Sequence, residues 1–202
     1  MARFPSILIT ASSLLILAYG RGEEVKPKST RSIQGDREVC AGIAADRYTK
    51  NTSFSALMTD NGKLYFRSCF ASAMKNILHD TTKPFVLFVS GRGQYPSKEI
   101  KNRILQKMEL QYDIKAAMFI WPSWCGYRCF PDKNAYQASN DLLLLLVAVA
   151  AAKRTDSCKH RIYTLLSHSM GSLVLEGVHK TTMKQRIPKN LFDNIIIDSA
   201  AS

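Results

Sequence analysis

Ser169 is the residue whose setting carries the sharpest chemistry. It stands in Leu165-Leu166-Ser167-His168-Ser169-Met170-Gly171-Ser172, between an apolar run and a helical pattern that starts near Met170 and extends to about Lys184. Small residues two positions to either side, Ser167 and Gly171, fit the G-x-S-x-G nucleophile elbow, with Ser in place of the first Gly. The small flanks have a physical reason: the strand-to-helix turn is tight, and bulk on either side would collide with the neighbouring strand or helix. Such a turn projects the serine oxygen beyond the sheet, where the helix N-terminus favours developing negative charge. The chemistry expected is attack of Ser169 Oγ on an acyl carbonyl. The competing reading is a surface serine that caps an ordinary helix.

A serine nucleophile needs a histidine to take its proton and an acid to orient that histidine. The four histidines are His79, His160, His168 and His179. His179 lies ten residues further along the same helix, about 15 Å away at about 1.5 Å rise per residue. His168 belongs to the turn itself and is expected to point away from Ser169. His160 opens the preceding strand at the opposite end of the sheet, and the placement of His79 is unconstrained. The sequence therefore assigns no base, and the triad reads as incomplete. For the acid, Asp198 ends the last strand, Asn194–Asp198, on the same side of the sheet as Ser169; its alternative role is to cap the next turn. Asp193, at the other end of that strand, is the poorer choice.

The elements that must position these residues follow from periodicity. Phe85–Val89 and Ala116–Trp121 are continuous apolar runs, as expected of strands buried on both faces; Arg161–Leu166 and Asn194–Asp198 complete four. Helical patterns separate them: one capped by Ser97, with Ile100, Ile104, Met108 and Tyr112 recurring every four residues; one through Ala135, Ala138, Leu142, Leu145, Leu146 and Val149; and one after the elbow. The Leu142–Ala152 apolar stretch is too short to cross a membrane. Strands alternating with helices predict an α/β fold with a mostly parallel sheet and flanking helices. Upstream, Phe54–Thr59 and Lys63–Arg67 flank Asp60-Asn61-Gly62, a hairpin signal in which both Asn61 and Gly62 are expected at positive φ. A helix over Cys69–Leu78 follows it. At the N-terminus, Arg3, the apolar Ile7–Leu17 and Ala18-Tyr19-Gly20 read as a cleavable signal peptide over residues 1–20. Residues 21–37 read as a solvated linker and residues 38–202 as one domain.

The stretch Phe85–Ala201 resembles the α/β-hydrolase superfamily, most closely a bacterial lipase- or esterase-like hydrolase family of unknown substrate. Val86-Leu87-Phe88-Val89-Ser90-Gly91 is similar to the strand that leads to the family's His-Gly oxyanion turn. Phe119-Ile120-Trp121-Pro122-Ser123 is similar to its next strand and Trp-Pro-Ser loop, and His168-Ser169-Met170-Gly171-Ser172 to its elbow. The resemblance implies Ser169 as nucleophile, the Met170 N–H as one oxyanion donor, a second donor at or near Arg92, and Asp198 as a candidate acid. Ser90 stands where the family has His, and Arg92-Gly93 depart from its usual turn. Compared with that fold, the chain stops at Ser202 before the last strand–helix units, which leaves Ile195–Ile197 near an unprotected edge. A truncated chain and a degenerate relative that binds rather than catalyses both accommodate this.

Composition sets the remaining bounds. The 202 residues carry 28 Lys plus Arg against 16 Asp plus Glu, a formal charge of +12, which favours anionic partners. No basic run interleaved with aromatics concentrates that charge, so nucleic acid is not expected as a partner. The partner expected is a small ester or lipid-like substrate; a secreted, non-catalytic protein that docks its basic surface on an anionic envelope or host surface is the alternative. Export, to a secreted or periplasmic location, would allow two disulfides among Cys40, Cys69, Cys125, Cys129 and Cys158, with one thiol left over and the pairing open. Asn51-Thr52-Ser53 is a glycosylation sequon. No cofactor and no metal are expected: the resembled chemistry needs none, a phosphate-cradling loop is missing, and no His/Cys cluster has ligand spacing.

Overall fold

The computed structural model describes residues 43–44, 54–79, 81–92, 98–123, 129–158, 160–181 and 187–199. The signal peptide, the linker, the Ser97 cap, Gly93, the sequon and Cys40 and Cys125 lie outside the described residues. The strands are β1 (Ile43–Ala44), β2 (Ala56–Thr59), β3 (Lys63–Tyr65), β4 (Phe85–Val89), β5 (Lys115–Ile120), β6 (Tyr163–His168) and β7 (Asn194–Asp198). Among the described residues the helices are α1 (Phe70–His79), α2 (Lys98–Tyr112), α3 (Asp132–Thr155) and α4 (Gly171–Lys180), with a 3₁₀ turn at Arg67–Cys69.

All seven strands form one sheet in the order β1-β3-β2-β5-β4-β6-β7. The expectation of a mostly parallel sheet is corrected to a mixed one. β5, β4, β6 and β7 are parallel neighbours, while β1, β3 and β2 join antiparallel, β2 pairing β5 from Ala56↔Ile120 to Thr59↔Ala117. The upstream hairpin is therefore an extension of the main sheet. Its turn also differs from expectation: Gly62 takes φ 72 but Asn61 is not among the residues of positive φ. The loop has three residues, Asp60-Asn61-Gly62, so a single left-handed residue at its end suffices to reverse the chain. Gly62 N–H donates to the Thr59 carbonyl at 2.9 Å, and Asn61 Oδ1 accepts from the Thr59 hydroxyl at 2.6 Å.

The sheet has two faces and a core on each. Phe85, Leu87 and Val89 point with Leu165 toward α1, α3 and α4; Val86, Phe88 and Leu166 point toward Leu105 and Met108 of α2. The alternation explains why β4 and β5 read as continuous apolar runs: β4 is buried throughout and β5 nearly so. α3 is long and apolar enough to cross a membrane by length and composition, longer than its Leu142–Ala152 stretch suggested. Its Leu142, Leu145, Leu146 and Val149 are nonetheless buried in the core, and the helix packs against α1 and α4.

Right-handed crossovers put helices on opposite faces when the chain progresses in opposite directions across the sheet. β4 to β5 runs one way and carries α2; β5 to β6 to β7 runs the other way and carries α3 and α4. The strand order thus reverses at β4, and the crevice beyond its C-terminal end is where open α/β sheets bind ligands. At the far edge, among the described residues β7 pairs only β6, with Ile195 62% and Ile197 55% exposed, as the sequence reading expected.

Candidate active site

Ser169 sits at that crevice, in the turn joining β6 to α4. Its backbone takes φ 49, the left-handed region that L-residues other than Asn and Asp enter at a cost. Three hydrogen bonds hold it there. Its N–H donates to the Asp198 carbonyl at 2.9 Å, and its own carbonyl accepts from the Ser172 N–H at 3.0 Å and the Ser172 hydroxyl at 2.8 Å. Among the described residues no hydrogen bond involves Ser169 Oγ, and the residue is partly exposed.

The two glycines beside it are required by contact. A Cβ on Gly91, in the turn after β4, would lie 2.7 Å from the His168 carbonyl oxygen, 2.9 Å from Ser169 Cβ and 3.1 Å from His168 Cδ2. A Cβ on Gly171 would lie 2.7 Å from the Val89 carbonyl oxygen and 3.0 Å from that of Ser90. The β4 turn and the elbow therefore touch backbone to backbone. Ser167 fills the remaining small position. It is fully buried, and among the described residues its hydroxyl has no hydrogen-bond partner.

The Trp-Pro-Ser segment bolts β5 to this corner. Trp121 is fully buried and its indole N–H donates to the Ser90 carbonyl at 2.6 Å, while the Ser90 N–H donates to the Phe119 carbonyl at 3.1 Å. The Pro122 carbonyl accepts from Asn134 at the start of α3 at 2.9 Å. Arg92 follows Gly91, and its guanidinium stacks 5.0 Å from the ring centroid of Phe130, next to Cys129. Met170 is the residue before α4, where the first N–H groups have no partner within the helix; of these, Ser172 N–H is taken by the Ser169 carbonyl.

Asp198 ends β7 opposite His168 in the parallel register. Its Oδ2 lies 2.8 Å from His168 Nδ1, and its Oδ1 accepts from the Ser199 hydroxyl at 3.1 Å. This is the contact the sequence reading missed. His168 turns its Nδ1 edge to the acid, and the Cδ2 edge of its ring faces Gly91, the point that Ser169 Cβ also faces. The pair is about three-quarters buried, with side chains 24% and 21% exposed. The clue was available in the position of each residue at its strand end, but it required the β6–β7 register, set between segments 30 residues apart.

The other titratable candidates fall elsewhere. His160 precedes β6 at the opposite end, and His179 is exposed near the end of α4. Asp193 accepts the Tyr163 N–H at 2.7 Å and pairs with Lys153, a strand-entry role far from Ser169. His79 and Cys158 line an open cavity of about 350 Å³ with Thr81, Thr82 and Ser157. Cys69 and Cys129 are disulfide-bonded, and among the described residues Cys158 is the free thiol. No group of His, Cys, Asp and Glu among the described residues is arranged to hold a metal ion.

Comparison of the chain with protein-family models, with curated proteins and with solved structures found no match.

Proposed function

We propose that this chain is an exported serine acyl hydrolase of esterase or lipase type, with Ser169 as the nucleophile. The observation that carries the reading is the φ of 49 at Ser169, held at the C-terminal end of the sheet where strand order reverses. Backbone strain of this kind costs about 1–3 kcal/mol and persists where the surroundings over-determine it. Here Gly91, Gly171 and the Asp198 carbonyl supply that constraint, and the strained residue carries a hydroxyl with no structural hydrogen bond among the described residues. An ordinary helix-capping serine would bond a helix N–H through its side chain; here the N-cap position is Met170, and among the described residues Ser169 Oγ bonds no helix N–H.

In this reading the Met170 N–H and a donor at the Arg92 turn receive the oxyanion, and Asp198 is the acid. Disulfide-bonded Cys69 and Cys129 support an oxidising location. The substrate class is a small ester or lipid-like acyl group. The experiment is rapid mixing with p-nitrophenyl acetate. Release of p-nitrophenol that is lost in Ser169→Ala is the expected result; release no faster than in Ser169→Ala overturns the proposal.

A further inference from the structure

Building on the hydrolase reading, we infer that His168, the residue immediately before the nucleophile, is its general base, with Asp198 orienting the ring. Three observations converge. The first is that the acid is already committed: Asp198 Oδ2 lies 2.8 Å from His168 Nδ1, the acid-to-Nδ1 contact that fixes imidazole tautomer and orientation in serine hydrolases. In the neutral tautomer whose Nδ1–H donates to the carboxylate, Nε2 is the acceptor nitrogen. The second is the direction of the ring. Its Cδ2 edge, next to Nε2, faces Gly91 at the same point as Ser169 Cβ. A side chain on Gly91 would stand in the space beside both. The third is that backbone and side chain lock the three residues together: the Ser169 N–H bonds the Asp198 carbonyl at 2.9 Å while the Asp198 carboxylate holds the ring.

The side chains of Ser169 and His168 share no direct hydrogen bond, so the proton transfer proposed here runs through one bridging water. In the acylation step Ser169 Oγ bonds the acyl carbon as its proton passes to His168 Nε2. The bond from that carbon to the leaving alkoxide oxygen then breaks as the same proton moves to that oxygen. In the second half, water adds to the acyl carbon and gives a proton to Nε2. The Ser169–acyl bond breaks, Oγ recovers that proton and the carboxylic acid leaves. His168 is thus a catalytic residue, and Asp198 a positioning residue.

The test is the rate at which a fluorophosphonate labels Ser169, read by intact mass and peptide mapping. His168→Gln keeps a donor for Asp198 but has no base. It should label at least about 100-fold more slowly than wild type, the low end of what a general base contributes. His168→Ala should be equally slow and should recover when free imidazole is added, a response a purely structural residue does not give. Thermal melts of both variants accompany the rates. Labelling of His168→Gln within a few-fold of wild type overturns the base assignment and leaves Ser169 as nucleophile. Slow labelling that imidazole fails to restore in a normally melting His168→Ala overturns it too. No labelling of Ser169 in wild type overturns the hydrolase reading itself.

Discussion

If Ser169 is strained for a purpose, relieving the strain should make the protein more stable and less useful. Glycine visits the left-handed region freely, whereas an L-residue there costs about 1–2 kcal/mol. Glycine's greater freedom in the unfolded chain takes back about 0.5–1 kcal/mol. No hydrogen bond of Ser169 Oγ is lost among the described residues, and the bonds of its N–H and carbonyl use backbone atoms of residue 169 that Ala and Gly both keep. Ser169→Gly should therefore be about 0.5–1 kcal/mol more stable than Ser169→Ala, which keeps the strain and lacks the hydroxyl. For a chain of this size that difference is about 1–4 °C in Tm. Equilibrium urea denaturation with a common slope, checked by thermal scans, reads it. A Ser169→Gly protein equal to or less stable than Ser169→Ala would refute the argument that the φ of 49 is stored strain.

Other consequences follow from neighbouring contacts. Gly91→Ala forces a Cβ to within 2.7 Å of a backbone oxygen, so urea unfolding should show a loss of about 1–3 kcal/mol, accompanied by slower labelling of Ser169. Gly177→Ala meets Ser139 Cβ at 2.7 Å between α3 and α4, and should leave the labelling rate of the folded protein unchanged. Ser167→Ala removes a buried hydroxyl that has no partner among the described residues and should stabilise by about 1 kcal/mol in the same assay. Asp156 ties the start of β6 together. Burial pushes its carboxyl up, but hydrogen bonds from Arg161, the Tyr163 hydroxyl and the Cys158 N–H outweigh burial and hold it below the usual carboxylate range. A depressed folded-state value means stability present above the unfolded-state value and lost as pH falls through the folded-state one. Acid titration of stability should thus show a limb below the ordinary carboxylate range that Asp156→Asn flattens.

What was legible in the sequence was whatever local pattern dictates. β4 and β5 announced themselves as unbroken apolar runs because helices cover both faces, and α1 lay within a residue of its expected bounds. Asp60-Asn61-Gly62 marked a reversal, although loop length decided which residue takes positive φ. The pairing of β2 with β5 was not legible, because it joins residues about sixty positions apart and nothing in either strand specifies the partner. The site divides in the same way. The elbow is a local turn, and its demand for small residues is written into Ser167 and Gly171. Gly91 was readable only as part of a turn; its contact with Ser169 depends on β4 lying next to β6. The His168–Asp198 hydrogen bond needed the register of two parallel strands, which no local pattern in either segment specifies.

Mass analysis after exposure to a fluorophosphonate tests the central claim most directly. The account predicts one covalent adduct on the native chain, mapped to Ser169, absent in Ser169→Ala and suppressed by prior unfolding. A native, folded protein that takes no adduct, or takes it on another serine, would contradict it.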